Sequence, residues 1–305
     1  MRNNFLAAAI VGRLGRDFRF IEWSCAAKLF HSTLHRVHRG TMMHIGKVAG
    51  CAFVAAAASL LSGCVQNAVR PVNQSLVPVK TIMQDLDGYS SREFTPATLP
   101  DQVQKTIVNS DGQSVGFHRL IVDLATNSTQ NGGTGVSHYT SHDVYQNEGN
   151  GLVRGVSTIS SNGIQTMVVL GLIYRNIYSV RAQSLSLSAV NANRIVESRT
   201  ISHFDTPATG HELHLSYDTG YVGQTTNLLH NETNCVFGRS FEASEINPKI
   251  MGTARDLDCQ VSNQNGIVIS KERRGYLDKY GFAILLRREN STADITFTVT
   301  DFKTE

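Results

Sequence analysis

Ser114 lies in Gly112-Gln113-Ser114-Val115-Gly116, the spacing that can place a nucleophilic serine on a sharp strand-to-helix elbow. That chemistry needs a helix after the serine. Phe117 to Leu124 instead alternates like a strand, so Asp111-Gly112 reads as a turn into that strand. His211-Glu212-Leu213-His214 offers metal-ligand residue types, but two zinc histidines on a helix need i, i+4 spacing. On a strand these two imidazoles, three positions apart, would point to opposite faces. His138 and His142 would share a strand face beside Asp143, a set that could hold a transition metal weakly or simply be solvated. His230 stands five residues before Cys235, without the CxxC or HxxxH partner that a structural zinc site needs. No metal, cofactor or catalytic residue is assigned on this basis. Lys271, Arg273, Arg274, Lys279, Arg287 and Arg288 could face phosphates or carboxylates of glycolipids and glycans. The plainer reading of these six is the wet face of a sheet edge, where charge discourages edge pairing.

A different kind of site lies upstream. Lys47 precedes fourteen largely apolar positions, Val48 to Leu61, and Leu61-Ser62-Gly63-Cys64 follows directly. The run is too short for a comfortable membrane span, which needs about 20 residues. A basic residue, a short apolar run and small residues at the end form the pattern of an export signal. The segment resembles a bacterial lipoprotein signal peptide with its lipobox. The resemblance covers residues 43–63 plus Cys64 and implies recognition of Leu61, Ser62 and Gly63 by the signal peptidase, cleavage before Cys64, and acylation of Cys64. It further implies a cell-envelope location, with the membrane as partner through the acyl chains. Val65 stands where an Asp would mark inner-membrane retention, so the class points to the outer membrane facing the periplasm in a Gram-negative cell. Residues 1–42 do not suit a signal peptide. They read as a mis-assigned start or leader, with translation expected from Met42 or Met43. Their arginines also fit an organelle transit peptide, a reading the lipobox argues against.

Processing would change the charge. Eight of the 28 basic and two of the 25 acidic residues precede Cys64, so the 242 residues from Cys64 onward hold 20 basic and 23 acidic residues, a net of −3. A basic surface for nucleic acid therefore loses its support, and no nucleic-acid partner is expected. The cysteines sort the same way. Cys25 and Cys51 precede the cut and Cys64 is the acylated one, which leaves Cys235 and Cys259. In an oxidising compartment the remaining two are expected to form a disulfide.

Four of the six prolines fall between Pro71 and Pro100, among Asn, Gln and Ser, which predicts an extended tether over 64–100. Ile82 to Leu86 could dock as a short ordered piece. From 101 to 305 the pattern is that of one β-rich domain. Ser160-Ser161-Asn162-Gly163 between two apolar-rich runs predicts a hairpin, since Asn-Gly suits a tight turn. Further strands are expected at 183–190, 211–217, 234–241, 249–261, 266–271, 282–288 and 294–302. Met167 to Val180 fits either strand or helix, because periodicity does not separate the two in a short apolar run. The fold expected is mainly β, an antiparallel β-sandwich or partly open β-barrel behind a signal segment and tether.

The function expected is a non-catalytic binding, assembly or structural role in the envelope, with a protein or glycan partner. The alternative is a carrier of lipid or another apolar ligand in a half-open barrel. The second alternative is an envelope hydrolase using Ser114.

Overall fold

A computed structural model of the chain describes residues 76–110, 113–208 and 210–305. The lipobox, Cys64 and residues 1–42 lie outside the described residues, as do Asp111 and Gly112.

Twelve antiparallel strands follow one another around a ring. They are β1 (Arg119–Gln130), β2 (Val136–Gly149), β3 (Leu152–Ser161), β4 (Ile164–Tyr174), β5 (Tyr178–Ser186) and β6 (Val196–Phe204), then β7 (Glu212–Tyr221), β8 (Leu229–Glu242), β9 (Thr253–Asn263), β10 (Val268–Leu277), β11 (Phe282–Asn290) and β12 (Ala293–Thr304). Each pairs with its sequence neighbours, and β1 pairs with β12 from Leu120/Thr304 to Gln130/Ala293, which closes a barrel. The sandwich alternative is thereby replaced by the barrel. Alternating patterns are identical in the two architectures, and only the pairing of first with last strand separates them.

The expected Asn162-Gly163 hairpin forms, both residues at positive φ (51° and 76°), as a two-residue turn requires. Met167 to Val180 is not a helix. It is the end of β4 and the start of β5, joined by a turn at Arg175-Asn176 (φ 47° and 53°). Arg175 is held there by tertiary bonds: its guanidinium donates to the carbonyls of Gly281 (2.9 Å) and Gln113 (2.9 Å), and its own carbonyl accepts from the N–H of Ala283 (2.9 Å).

The extended tether expected to Pro100 does not reach that far. From Val79 the chain forms α1 (Val79–Gln84), α2 (Leu86–Glu93) and α3 (Asp101–Ser110), with a 3₁₀ turn at Pro96–Thr98. Pro78, Pro96 and Pro100 sit at helix starts, where a missing N–H costs nothing. Val79, Ile82, Phe94, Leu99, Val103 and Ile107 are all buried, and they pack against Leu152 of β3, Val168, Leu170, Leu172 and Tyr174 of β4, and Leu185 of β5. These barrel residues lie on the face opposite to Val153, Gly155 and Ile173, so the helices cover the outside of the wall. This accounts for β4 being apolar on both faces.

The ring has two narrow seams. Between β5 and β6 the register is Arg181/Glu197 and Ala182/Val196 alone. The helix α3 closes the gap: the Gln102 side chain donates to the Ile201 carbonyl (2.7 Å) and accepts from the Ile201 N–H (3.1 Å), standing in for a strand neighbour. Buried Arg181 and Glu197 form an ion pair at this seam, and Arg199 also reaches Glu197. Between β11 and β12 the register runs over Arg287/Thr296, Arg288/Ile295 and Glu289/Asp294. There the β8–β9 connection fills the gap with Ile246 and Ile250, and the Asn247 amide donates to the Val299 carbonyl (2.9 Å). Gly275 lets Ile246 approach: a Cβ would meet the Ile246 Cδ1 at 2.5 Å.

Candidate functional site

The side chains that could do chemistry fall on opposite faces of the wall. His138 and His142 point outward from β2, where their Nδ1 atoms meet Asn127 Oδ1 and Asp123 Oδ1, each at 2.7 Å. Asp143 points inward and is only 5 % exposed, so the three do not converge. His214 also points outward, with Nδ1 2.6 Å from Asn234 Oδ1. His211 precedes β7 and does not join it. His230 Nδ1 lies 2.9 Å from Asp218 Oδ1. Among the described residues no three His, Cys, Asp or Glu side chains gather as a ligand set.

Ser114 is exposed, and its Oγ donates to Asn147 Oδ1 (2.9 Å). No helix follows it; residues 113–118 run irregularly into β1. The serine therefore lacks both the elbow and a basic partner in hydrogen-bond contact.

Cys235 and Cys259 are directly opposite each other in β8 and β9 and are joined by a disulfide, Cα to Cα 4.0 Å. Both are buried among Leu213, Phe237, Leu257 and Tyr276. The bond is a staple of the inner wall.

Two inward clusters could not be assembled from the sequence. The first is Asp143, which accepts from Ser157 Oγ (2.5 Å) and from the Tyr145 hydroxyl (3.4 Å). Tyr145 fits because Gly155 lies opposite it, where a Cβ would approach its ring at 3.2 Å. Burial pushes the Asp143 carboxyl up to about 6, against the downward pull of Ser157, Ser141 and Tyr145. The second is Glu272, which accepts from Arg274 Nη2 (2.5 Å) and Arg288 Nε (2.7 Å). Burial would raise this carboxyl too, but the two guanidiniums outweigh it and bring it down to about 2. Tyr145 feels both clusters, since Asp143 and Arg274 each act on its hydroxyl, which burial holds well above 10.

Asp143 has a consequence for stability. Its folded pKa lies above its unfolded 3.8, so its favourable contribution is fully present below pH 3.8 and is lost as pH rises through about 6. About two pKa units correspond to roughly 3 kcal/mol of buried-charge cost at pH 8. Asp143→Asn is expected to be more stable than the wild type at pH 8 by about 2–3 kcal/mol. The gap should close by pH 4. Urea unfolding at the two pH values measures this, and an equal stability difference at both would refute it.

The six basic residues separate. Arg274 and Arg288 turn to Glu272, and the Lys279 ammonium lies over the Tyr280 ring near the β10–β11 turn. Lys271, Arg273 and Arg287 line a groove of about 740 Å³ on the outer face of β8–β12, together with Val236, Leu286 and Thr296. The sheet-edge reading does not hold, because β10 and β11 each have partners on both sides. Arg287 is paired with Asp294 and Arg273 with Asp256, whereas Lys271 is exposed and makes no ion pair with a described residue. The groove is within the size range of small-ligand sites, and its lining mixes the apolar Val236 and Leu286 with these three cations and the acidic Asp258, Glu272 and Glu289.

What these features define is a twelve-stranded antiparallel barrel with a helical flank and an outer groove. No family model matches the chain, and no curated protein matches it. Two solved structures are similar in part. One is a beta-barrel-like protein of a domain of unknown function, DUF1849, from Brucella abortus, with 10% identity, a TM-score of 0.35, and 63% of this chain and 99% of that one covered. The other is a DUF1329 family protein from Desulfovibrio piger, with 7% identity, a TM-score of 0.33, and 75% of this chain and 94% of that one covered.

Proposed function

We propose that this protein is a non-catalytic, lipid-anchored binding protein of the cell envelope, and that it carries an amphiphilic ligand with one anionic group. The carrying observation is the groove over β8–β12: Val236 and Leu286 offer apolar surface, and Lys271, which makes no ion pair with a described residue, offers a cation beside them, opposite Glu289 in the ladder. The anchor reading rests on Leu61-Ser62-Gly63-Cys64 and the apolar run before it. The ligand is placed on the wall and not in the lumen, because the inward positions are taken by buried side chains such as Tyr145, Tyr178, Leu215 and Leu257.

The test uses a fluorescent fatty acid as probe. The wild type should bind it, and unlabelled fatty acid or lysophospholipid should displace it. Lys271→Glu should weaken binding on the order of tenfold, the equivalent of about 1.4 kcal/mol. Val236→Asp should weaken it similarly, with the unfolding midpoint of both variants unchanged because both side chains are exposed. Absence of probe binding, or binding indifferent to both changes, would overturn the carrier reading. A separate fatty-acid labelling of Cys64→Ala in cells tests the anchor.

A further inference from the structure

In an up-and-down barrel alternate connections lie at the same end. The β1–β2, β3–β4, β5–β6, β7–β8, β9–β10 and β11–β12 connections therefore share one end, called here the tip end. This end gathers exposed apolar side chains: Val136, Ile164 and Val190, and the consecutive Ile267, Val268 and Ile269 of the β9–β10 hairpin. Its six connections, residues 131–135, 162–163, 187–195, 222–228, 264–267 and 291–292, contain a single charged residue. That residue is Arg194, whose guanidinium stacks over the Tyr221 ring at 4.6 Å. The opposite end is different in kind. Its connections carry Arg175, Asp205, Glu245, Lys249, Asp278 and Lys279. Exposed β-branched apolar side chains without charge are costly in water and suit the interfacial zone of a bilayer.

The path of the chain points the same way. The described chain begins at the tip end: the Val79 N–H donates to the Val190 carbonyl (3.0 Å), and the Ala192 N–H donates to the Val77 carbonyl (2.9 Å). Cys64 lies twelve residues before Leu76. That stretch can span at most about 40 Å. To bring the opposite end to the membrane it would have to run back along the wall. With strands as long as the fourteen residues of β2, that is about 35 Å at the usual barrel tilt, nearly the whole reach.

We propose that the barrel docks on a lipid surface by its tip end, with Ile267, Val268 and Ile269 entering the interface and Ile164, Val136 and Val190 around them. The groove then opens beside the bilayer, since Lys271 and Glu289 lie near the tip ends of β10 and β11. The orientation rests in part on the anchor reading, and the experiment separates the two.

Tryptophan is placed at one exposed position at a time, Ile267→Trp or Ile164→Trp, with Met251→Trp as the control. Met251 is exposed in the β8–β9 connection at the opposite end. The full chain, produced in a Gram-negative host, is mixed with an excess of brominated-phosphatidylcholine vesicles, and the unsubstituted chain supplies the background. Emission at 267 and 164 should be quenched by the brominated lipid and shifted to the blue, several-fold more than at 251. Quenching equal at all three positions, or absent at 267 and 164, overturns the docking. Flotation of the wild type with vesicles, compared with Cys64→Ser, reports on the anchor independently. If the chain floats but its tips are not quenched, the anchor survives and the docking fails. If Cys64→Ser no longer floats while the Ile267→Trp and Ile164→Trp proteins are quenched, both stand.

Discussion

Glu272→Gln is expected to destabilise the protein by about 3–5 kcal/mol at pH 7. The carboxylate joins Arg274 and Arg288 in the inner wall, and Arg274 is only 7% exposed. Removing the negative charge leaves a guanidinium buried without its counter-charge, and breaking such a pair costs more than the pair itself contributes. The sign of the pH dependence follows from the lowered pKa. The folded value is about 2 against 4.5 unfolded, so the stabilisation is present above pH 4.5 and is lost as pH falls through 2. The difference between wild type and variant should therefore narrow on acidification. This is opposite to Asp143→Asn, whose gap widens with rising pH. Replacing Glu272, Arg274 and Arg288 together by Met should cost less than Glu272→Gln alone, because no guanidinium is then left without its counter-charge. Chemical unfolding of the wild type and the two variants at pH 7 and pH 3 is the measurement. A loss below about 1 kcal/mol for Glu272→Gln at pH 7 would show that the buried charges find other partners.

Reduction of the Cys235–Cys259 bond is expected to cost about 3–4 kcal/mol. The bond closes a chain segment with a sequence separation of 24, and on the chain-entropy estimate this restricts the unfolded state by that amount. Cys235→Ser and Cys259→Ser should each show a similar loss, and the double change should cost little more than either alone, since each removes the same bond. Unfolding with and without reductant checks this, together with thiol trapping under native conditions. An unfolding midpoint that does not move on reduction would sink it. Alkylation of both thiols in the unreduced native protein would also count against the bond.

Much of the strand content was legible. Gly163 carries φ +76° in the turn expected at Asn162-Gly163, and β11 and β12 lie where 282–288 and 294–302 predicted them. In each case alternation and a turn residue agree, and both are local properties. β6 was missed because Val196 to Phe204 includes Glu197, Ser198, Arg199 and Thr200, with register shifts on its β7 side that break the alternation. The β4–β5 turn was missed because Arg175-Asn176 has no glycine. Its positive φ values are imposed by bonds to residues more than a hundred positions away. The helical segment reads as tether in sequence because its apolar residues are sparse, and its helicity depends on packing against the barrel wall.

The sequence by itself determined the local matters: which segments alternate and where Asn-Gly turns fall. The tertiary structure decided closure. Whether β1 meets β12 depends on a strand pairing across nearly the whole domain, and no local pattern encodes that. It also decided which face of each strand turned inward. His142 and Asp143 are adjacent in sequence, yet the pleat puts one in water and the other in the wall, where burial shifts its proton affinity. Glu272 and Arg274 look in sequence like charges for a wet surface. Their place in the inner wall follows from the ring into which β10 is built, because only the closed barrel gives that face an inside.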